Sequence, residues 1–158
     1  MSTSESQRSR VLFLCTGNSC RSQMAEGWAR HLHPSRVEAF SAGTRAQGLN
    51  PLAVRAMSEA GVDISGQRSK SVAALADQSI DVVVTVCDSA RESCPIFPRT
   101  TKIIHVGFDD PPRLAKSAKS DDEAMVHYRR VRDEIRAFVS GLPGYLREHA
   151  GTPVEDRG

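Results

Sequence analysis

A chain of 158 residues and 17.2 kDa is room for one domain of ordinary size. With 39% hydrophobic and 25% charged residues it should fold as a globule, and a formal charge of +2 argues against a dedicated nucleic-acid binder. The pI of about 8.5 still leaves room for a small anion site. No stretch approaches the roughly 18 to 20 apolar residues that cross a bilayer. Met1 to Arg10 is polar and Ser-rich, without the apolar centre of a secretory signal, so no membrane partner and a cytoplasmic, reducing compartment are expected. Four cysteines, Cys15, Cys20, Cys87 and Cys94, are then core residues, metal ligands or working thiols rather than a static disulfide framework.

In chain order, residues 1–9 read as a flexible tail, 10–150 as the domain and 151–158 as a second tail. Val11-Leu12-Phe13-Leu14 is a continuous apolar run, as in a strand buried on both faces. A helix is predicted from about Ser19 to Leu32, with Met24, Ala25, Trp28, Ala29 and Leu32 on one face. Val37 to Ala42 reads as a second strand. Asn50-Pro51 is a cap followed by the favoured first helical residue, and Gly61 ends that helix. A short helix is predicted at Val72 to Ala76, a strand at Ile80 to Val86 and another at Lys102 to Val106. Ser120-Asp121-Asp122-Glu123 is a capping box opening a long helix. Its stripe is Ala124, Tyr128, Val131, Ile135, Phe138 and Leu142, with Arg129, Arg130, Arg132 and Arg136 on a solvated face. His31 and His33 fall near a helix end, where they favour the dipole. Alternating strands and helices imply a single α/β domain: a central four-stranded parallel sheet with helices on both faces. Ligands of such sheets sit beyond the carboxyl ends of the strands.

That points to Cys15-Thr16-Gly17-Asn18-Ser19-Cys20-Arg21-Ser22, between the first strand and the first helix. Cys-x5-Arg alone carries little weight, since composition gives roughly 0.4 chance matches. Its context says more. Gly17 and Asn18 tolerate the dihedrals with which backbone N–H groups wrap an oxyanion, and the helix start adds free N–H groups and its positive dipole end. Arg21 can offer a two-pronged hydrogen bond, and the same field would acidify Cys15, with a further hydrogen bond from Ser22. The reading is an activated nucleophile in an anion cradle. A buried structural cysteine followed by an ordinary loop fits the position equally well.

These residues resemble the phosphate-binding loop of the low-molecular-weight protein tyrosine phosphatases. The run from Leu14 to Trp28 is more similar to one branch, the thioredoxin-coupled arsenate reductases. The likeness continues through Ser41-Ala42-Gly43, Asn50-Pro51, Asp63-Ile64-Ser65, Val83 to Cys87, Cys94-Pro95 and Phe108-Asp109-Asp110-Pro111, about residues 10 to 140. It implies a phosphatase-like fold of flavodoxin-like strand order and an enzyme that reduces arsenate to arsenite. Residues Thr16 to Arg21 would hold the oxyanion, with phosphate or sulfate competing. Cys15 would attack arsenate and Cys87 would attack the Cys15 adduct. Cys94 would then displace Cys15, leaving a Cys87–Cys94 disulfide for thioredoxin to reduce. For that exchange the segment 88–95 must unravel, so its conformation is expected to differ between reduced and oxidised protein. Asp110 takes the place of the family's general acid, while the Asp-Pro step is also turn chemistry and Asp109 is the weaker candidate. Cys20 reads as a small buried thiol without a redox role.

Two other functions compete. A tyrosine phosphatase of the same fold would use Cys15, Arg21 and Asp110 and leave Cys87 and Cys94 idle, but aromatics are only 5% of the chain and no tyrosine adjoins the Asp-Pro. A zinc module would need ligand spacings that Cys15-x4-Cys20, Cys87-x6-Cys94 and scattered histidines match poorly. Some members of the resembled family bind potassium through groups matched here by Asn18, Glu26 and Ser41. The remaining positions hold Arg68 and Lys70, so the Lys70 ammonium is expected in the ion's place, paired with Glu26, with no tightly bound cofactor and no need for potassium. The protein is expected to be a monomer.

Overall fold

The computed structural model describes residues 8–87, 94, 95 and 97–150. Four parallel strands, β1 (Ser9–Cys15), β2 (Val37–Gly43), β3 (Val82–Thr85) and β4 (Lys102–His105), form one sheet in the order β2-β1-β3-β4. Helices α1 (Arg21–Leu32), α2 (Pro51–Glu59), α3 (Pro111–Leu114), α4 (Asp121–Ser140) and α5 (Leu142–Ala150) complete a single α/β domain. Successive strand side chains point to opposite faces, yet Val11, Leu12, Phe13 and Leu14 are all fully buried, so both faces of β1 are covered. The expected fold class stands. Of the tails expected at 1–9 and 151–158, residues 1–7 and 151–158 lie outside the described residues.

Element ends differ from the sequence reading for local reasons. β1 starts at Ser9, inside the expected tail, because Ser9 and Arg10 pair with Val37 and Glu38. β3 is shorter than its β-branched run: Asp81 precedes it, its N–H donating to the Arg10 carbonyl and its carboxylate accepting from the Arg10 N–H, both at 2.8 Å. Residues 72–75 form a 3-10 turn. α1 begins at Arg21 rather than Ser19, and no side chain caps its N-terminus. Asn50 caps α2 as expected, its Oδ1 accepting from the N–H groups of Leu52 and Ala53 at 2.8 and 3.2 Å.

The long helix ends at Ser140, and Leu142 opens α5 instead of prolonging the stripe. Val139, not Phe138, is the last fully buried residue of the α4 face. Trp28 Nε1 donates to the Arg132 carbonyl at 3.2 Å, tying α1 to α4. Of the α4 arginines expected on a solvated face, Arg130 and Arg136 are exposed and Arg129 is partly so, while Arg132 is not. The Arg132 side chain is only 12% exposed because its Nη1 donates to the Ala56 carbonyl at 2.8 Å. Arg136 lies over the Trp28 ring, 5.2 Å from its centroid, and Arg129 binds Glu59. His33 is likewise used in packing, its Nε2 2.7 Å from the Val139 carbonyl oxygen.

Candidate active site

β1 delivers Cys15 to the carboxyl rim of the sheet, and residues 16–20 turn from there into α1. The carbonyls of that turn are occupied from behind. Those of Cys15, Thr16, Gly17 and Ser19 accept from the backbone N–H groups of Thr44, Arg45, Gln47 and Asn50 at 2.9 to 3.2 Å. The Asn18 carbonyl accepts from Gln23 Nε2 at 3.0 Å and that of Cys20 from the Met24 N–H at 2.9 Å. With the carbonyls turned away, the N–H groups of residues 16–20 have no partner among the described residues. Among the described non-glycine residues only Asn18 adopts positive φ (49°), the left-handed step that a wrapped loop requires.

Gly43, at the end of β2, presses against this loop. A Cβ there would stand 2.5 Å from the Thr16 carbonyl oxygen and 2.7 Å from the Asn18 nitrogen. Only glycine lets the two backbones approach so closely.

Cys15 is buried, and its sulfur lies 2.8 Å from Ser22 Oγ, which also accepts from Asn18 Nδ2 at 2.9 Å. Arg21 reaches across to the segment after β4: Nη1 donates to the Phe108 carbonyl at 2.9 Å and Nη2 stands 3.5 Å from Asp110 Oδ1. That segment is carried over the rim by the bond from the Phe108 N–H to the Val86 carbonyl at 3.1 Å. Asp109 is engaged by Arg130 at 2.9 Å, which leaves Asp110 as the carboxylate facing the loop. Asp110 is the cap residue of α3, but its side chain makes no capping bond.

These groups line a cleft of about 950 Å³, together with Cys87, Gln47, Asn50 and Arg113. Cys87, just past β3, is buried, and Thr16 Oγ1 is 3.5 Å from its sulfur. Of the residues singled out from sequence, the fold brings Cys15, Thr16, Gly17, Ser19, Cys20, Arg21, Cys87 and Asp110 to one cavity, with Asn18 and Ser22 directly behind it. Cys94 does not line it. Half-buried and packed against the core, its thiol is pushed up in pKa by that burial. None of the four cysteines is in a disulfide. Burial also raises the Cys20 thiol, far enough to hold it protonated. Residues 88–93, most of the segment expected to unravel, lie outside the described residues.

The potassium donor set is already committed. Asn18 Oδ1 accepts from the Lys70 N–H at 2.8 Å and from Gln23 Nε2 at 3.0 Å. Glu26, almost fully buried, is paired with Arg30 at 2.7 Å and accepts from Ser41 Oγ at 2.6 Å. The expected Lys70–Glu26 pair is therefore corrected to Arg30–Glu26, and the Lys70 ammonium donates to the Arg68 carbonyl at 2.8 Å. With three cationic side chains around it, the site does not fit a further cation. Among the described residues no group of three or more His, Cys, Asp or Glu side chains is arranged to hold a metal ion.

Gln23 and Gln67, which brace Asn18 and each other, were missed in the sequence. The signal was a glutamine set beside Met24 and Ala25 on the buried side of α1.

The low molecular weight phosphotyrosine protein phosphatase pattern matches residues 10–150. The chain belongs to this phosphatase family. Within the family it is similar to the arsenate reductase of Halalkalibacterium halodurans, at 49% identity over 125 residues, 79% of this chain and 88% of the relative. Among solved structures, an arsenate reductase in the phosphate binding state superposes with a TM-score of 0.68 at 30% identity, covering 87% of this chain and 98% of that one. A thioredoxin-dependent arsenate reductase of Corynebacterium glutamicum gives 0.64 at 26% identity, covering 90% of this chain and 63% of that one. The phosphatase-family fold is thus shared with arsenate reductases. Among the described residues no helix is long and apolar enough to cross a membrane.

Proposed function

We propose that this phosphatase-family chain is an arsenate reductase working through three thiols. The observation that carries the reading is the placement of Cys15 and Cys87 in one cleft, bridged by Thr16. A hydrolase has no use for a second buried thiol there. The Cys15 thiolate attacks arsenic(V) held by the N–H groups of residues 16–20 and by Arg21, and Asp110 protonates the oxygen that leaves as water. Cys87 then attacks the Cys15 sulfur. As the S–S bond forms, the S–As bond breaks, its electron pair stays on arsenic, and arsenite departs. Cys94 attacks the Cys87 sulfur and releases Cys15 as thiolate, so the two electrons given to arsenic are balanced by a Cys87–Cys94 disulfide. A thioredoxin-type dithiol restores the pair, consistent with a reducing cytoplasm and with a thioredoxin-dependent structural neighbour. Arg21 must leave Phe108 and Asp110 to grip the anion, and Cys94, which does not line the cleft, must reach Cys87. Potassium is not required, since Arg30 already neutralises Glu26.

The test is arsenate turnover with thioredoxin, thioredoxin reductase and NADPH. Cys15→Ser, Cys87→Ser and Cys94→Ser should each abolish it, and mass mapping of substrate-oxidised enzyme should find Cys87 linked to Cys94. Loss of turnover in Cys15→Ser alone would refute the relay. Turnover and melting temperature should be equal in sodium and potassium at constant ionic strength. Hydrolysis of small phosphate esters is the second reading, supported by the family pattern and by Cys15, Arg21 and Asp110 sharing the cleft.

A further inference from the structure

A line of side-chain amides runs from the edge of the fold to the Cys15 sulfur. Gln67 Nε2 donates to Gln23 Oε1 at 2.8 Å, and Gln23 Nε2 donates to Asn18 Oδ1 at 3.0 Å. Asn18 Nδ2 donates to Ser22 Oγ at 2.9 Å, and that oxygen lies 2.8 Å from Cys15 Sγ. Since Ser22 accepts from Asn18, its own proton is left for the sulfur. Gln23, Asn18 and Ser22 each accept on the side away from Cys15 and donate on the side toward it. The dipoles therefore align with their positive ends toward the sulfur, and hydrogen bonds in such a chain polarise one another. Gln23, Asn18 and Ser22 are fully buried, so water does not compete, while Gln67 is half-buried at the outer end. The bond from the Gln67 N–H to the Ile64 carbonyl at 2.9 Å fixes the turn that presents this side chain.

We propose that Gln67 and Gln23 are positioning residues for the nucleophile: through Asn18 and Ser22 they hold a hydroxyl proton on the Cys15 sulfur and favour its thiolate. This deepens the reading of Cys15 as nucleophile and rests on it. The other charged or titratable groups that line the cleft with Cys15 are Cys20, Arg21, Cys87, Asp109, Asp110 and Arg113. None is altered in the test.

The rate of iodoacetamide alkylation of Cys15, resolved from the other thiols by mass spectrometry of its peptide, is measured against pH in the full-length protein. Gln67→Met removes the first donor, and Gln67→Glu replaces it with an acceptor that forces the Gln23 amide around. Both should move the pH–rate profile of Cys15 alkylation to higher pH, so that the rate on its rising limb falls about threefold. Ser69→Ala is the comparison, because Ser69 Oγ donates to the Gly17 carbonyl at 3.2 Å and steadies the loop from outside the chain of amides. It should lower the melting temperature and leave the pH–rate profile in place. An unchanged profile in both Gln67 variants overturns the proposal, as does an equal shift in Ser69→Ala. Alkylation does not involve arsenate, so a shifted profile in a protein that fails to turn over arsenate would sink the functional reading alone.

Discussion

Arg21 and Asp110 face each other across the mouth of the cleft, Nη2 to Oδ1 at 3.5 Å, with the carboxylate 36% exposed. Such a pair is worth about 1 kcal/mol or less, so an incoming oxyanion can displace it. If Asp110 is the acid, Asp110→Asn has two opposite effects. Phosphate binding, measured by titration calorimetry, should tighten a few-fold because Arg21 is released. Arsenate turnover should fall about 100-fold because the leaving oxygen lacks its proton. Turnover at the wild-type rate would remove Asp110 from the mechanism.

Gly43 offers a test of how tightly the loop is held. In Gly43→Ala the new methyl meets three backbone atoms, of Arg45, Thr16 and Asn18, none of which can rotate aside. Overpacking of this kind costs about 1 to 3 kcal/mol, or roughly 3 to 10 °C in melting temperature for a domain of this size. Turnover should fall with it as the loop N–H groups are displaced. Gly66→Ala, where a Cβ meets nothing within 4 Å, should melt within about 0.5 kcal/mol of wild type.

Glu59 binds Arg129 of α4 at 2.8 Å and is flanked by Arg55 and Arg132. The hydrogen bond from Arg129 comes first among the influences that hold its carboxyl below the ordinary value of 4.5, and the charges of the three arginines add to it. A depressed carboxylate stabilises the fold above its unfolded pKa and loses that contribution as pH falls through the folded one. Thermal melts of wild type and Glu59→Gln should therefore differ at pH 7 and converge as pH drops below about 4.5. The group lies at the surface, so 1 M salt should also close the gap. A gap independent of pH and salt would contradict this.

Lys70 behaves in the opposite sense. Burial lowers its pKa from 10.5, Arg30 and Arg68 lower it further, and Glu26 only partly opposes them. Between the folded and unfolded pKa values the unfolded chain binds more protons, so wild-type stability rises with pH there. Lys70→Met should melt above wild type at neutral pH, and that advantage should shrink as pH approaches 10.5. A Met variant that melts below wild type at pH 7 would show that the ammonium stabilises the fold after all.

What could be read from the chain was local. The run Val11 to Leu14 and the loop from Cys15 to Ser22 announce a buried strand and its anion turn because strand burial and left-handed steps have direct residue signatures. The end of α4 was not legible, since Ile135, Val139 and Leu142 keep helical spacing across the break at Gly141. Burial of Arg132 was hidden because it depends on a carbonyl of another helix. Arg30 as the partner of Glu26 was there to be read as a pair four residues apart, but the tertiary neighbour Lys70 drew the attention. Nor does spacing tell that Cys94 stands away from the cleft, because that depends on the path of the chain after Cys87.

The pairing of β1 with β3 has a chemical consequence. Leu14 is level with Thr85, so Cys87 falls one step past the residue that would match Cys15. Parallel neighbours run about 4.8 Å apart and finish at the same edge. The two strand ends thus bring Cys15 and Cys87 to one cleft without any insertion between the strands. On the reading proposed above, ester cleavage and two-electron transfer would differ by the choice of residue at that tip.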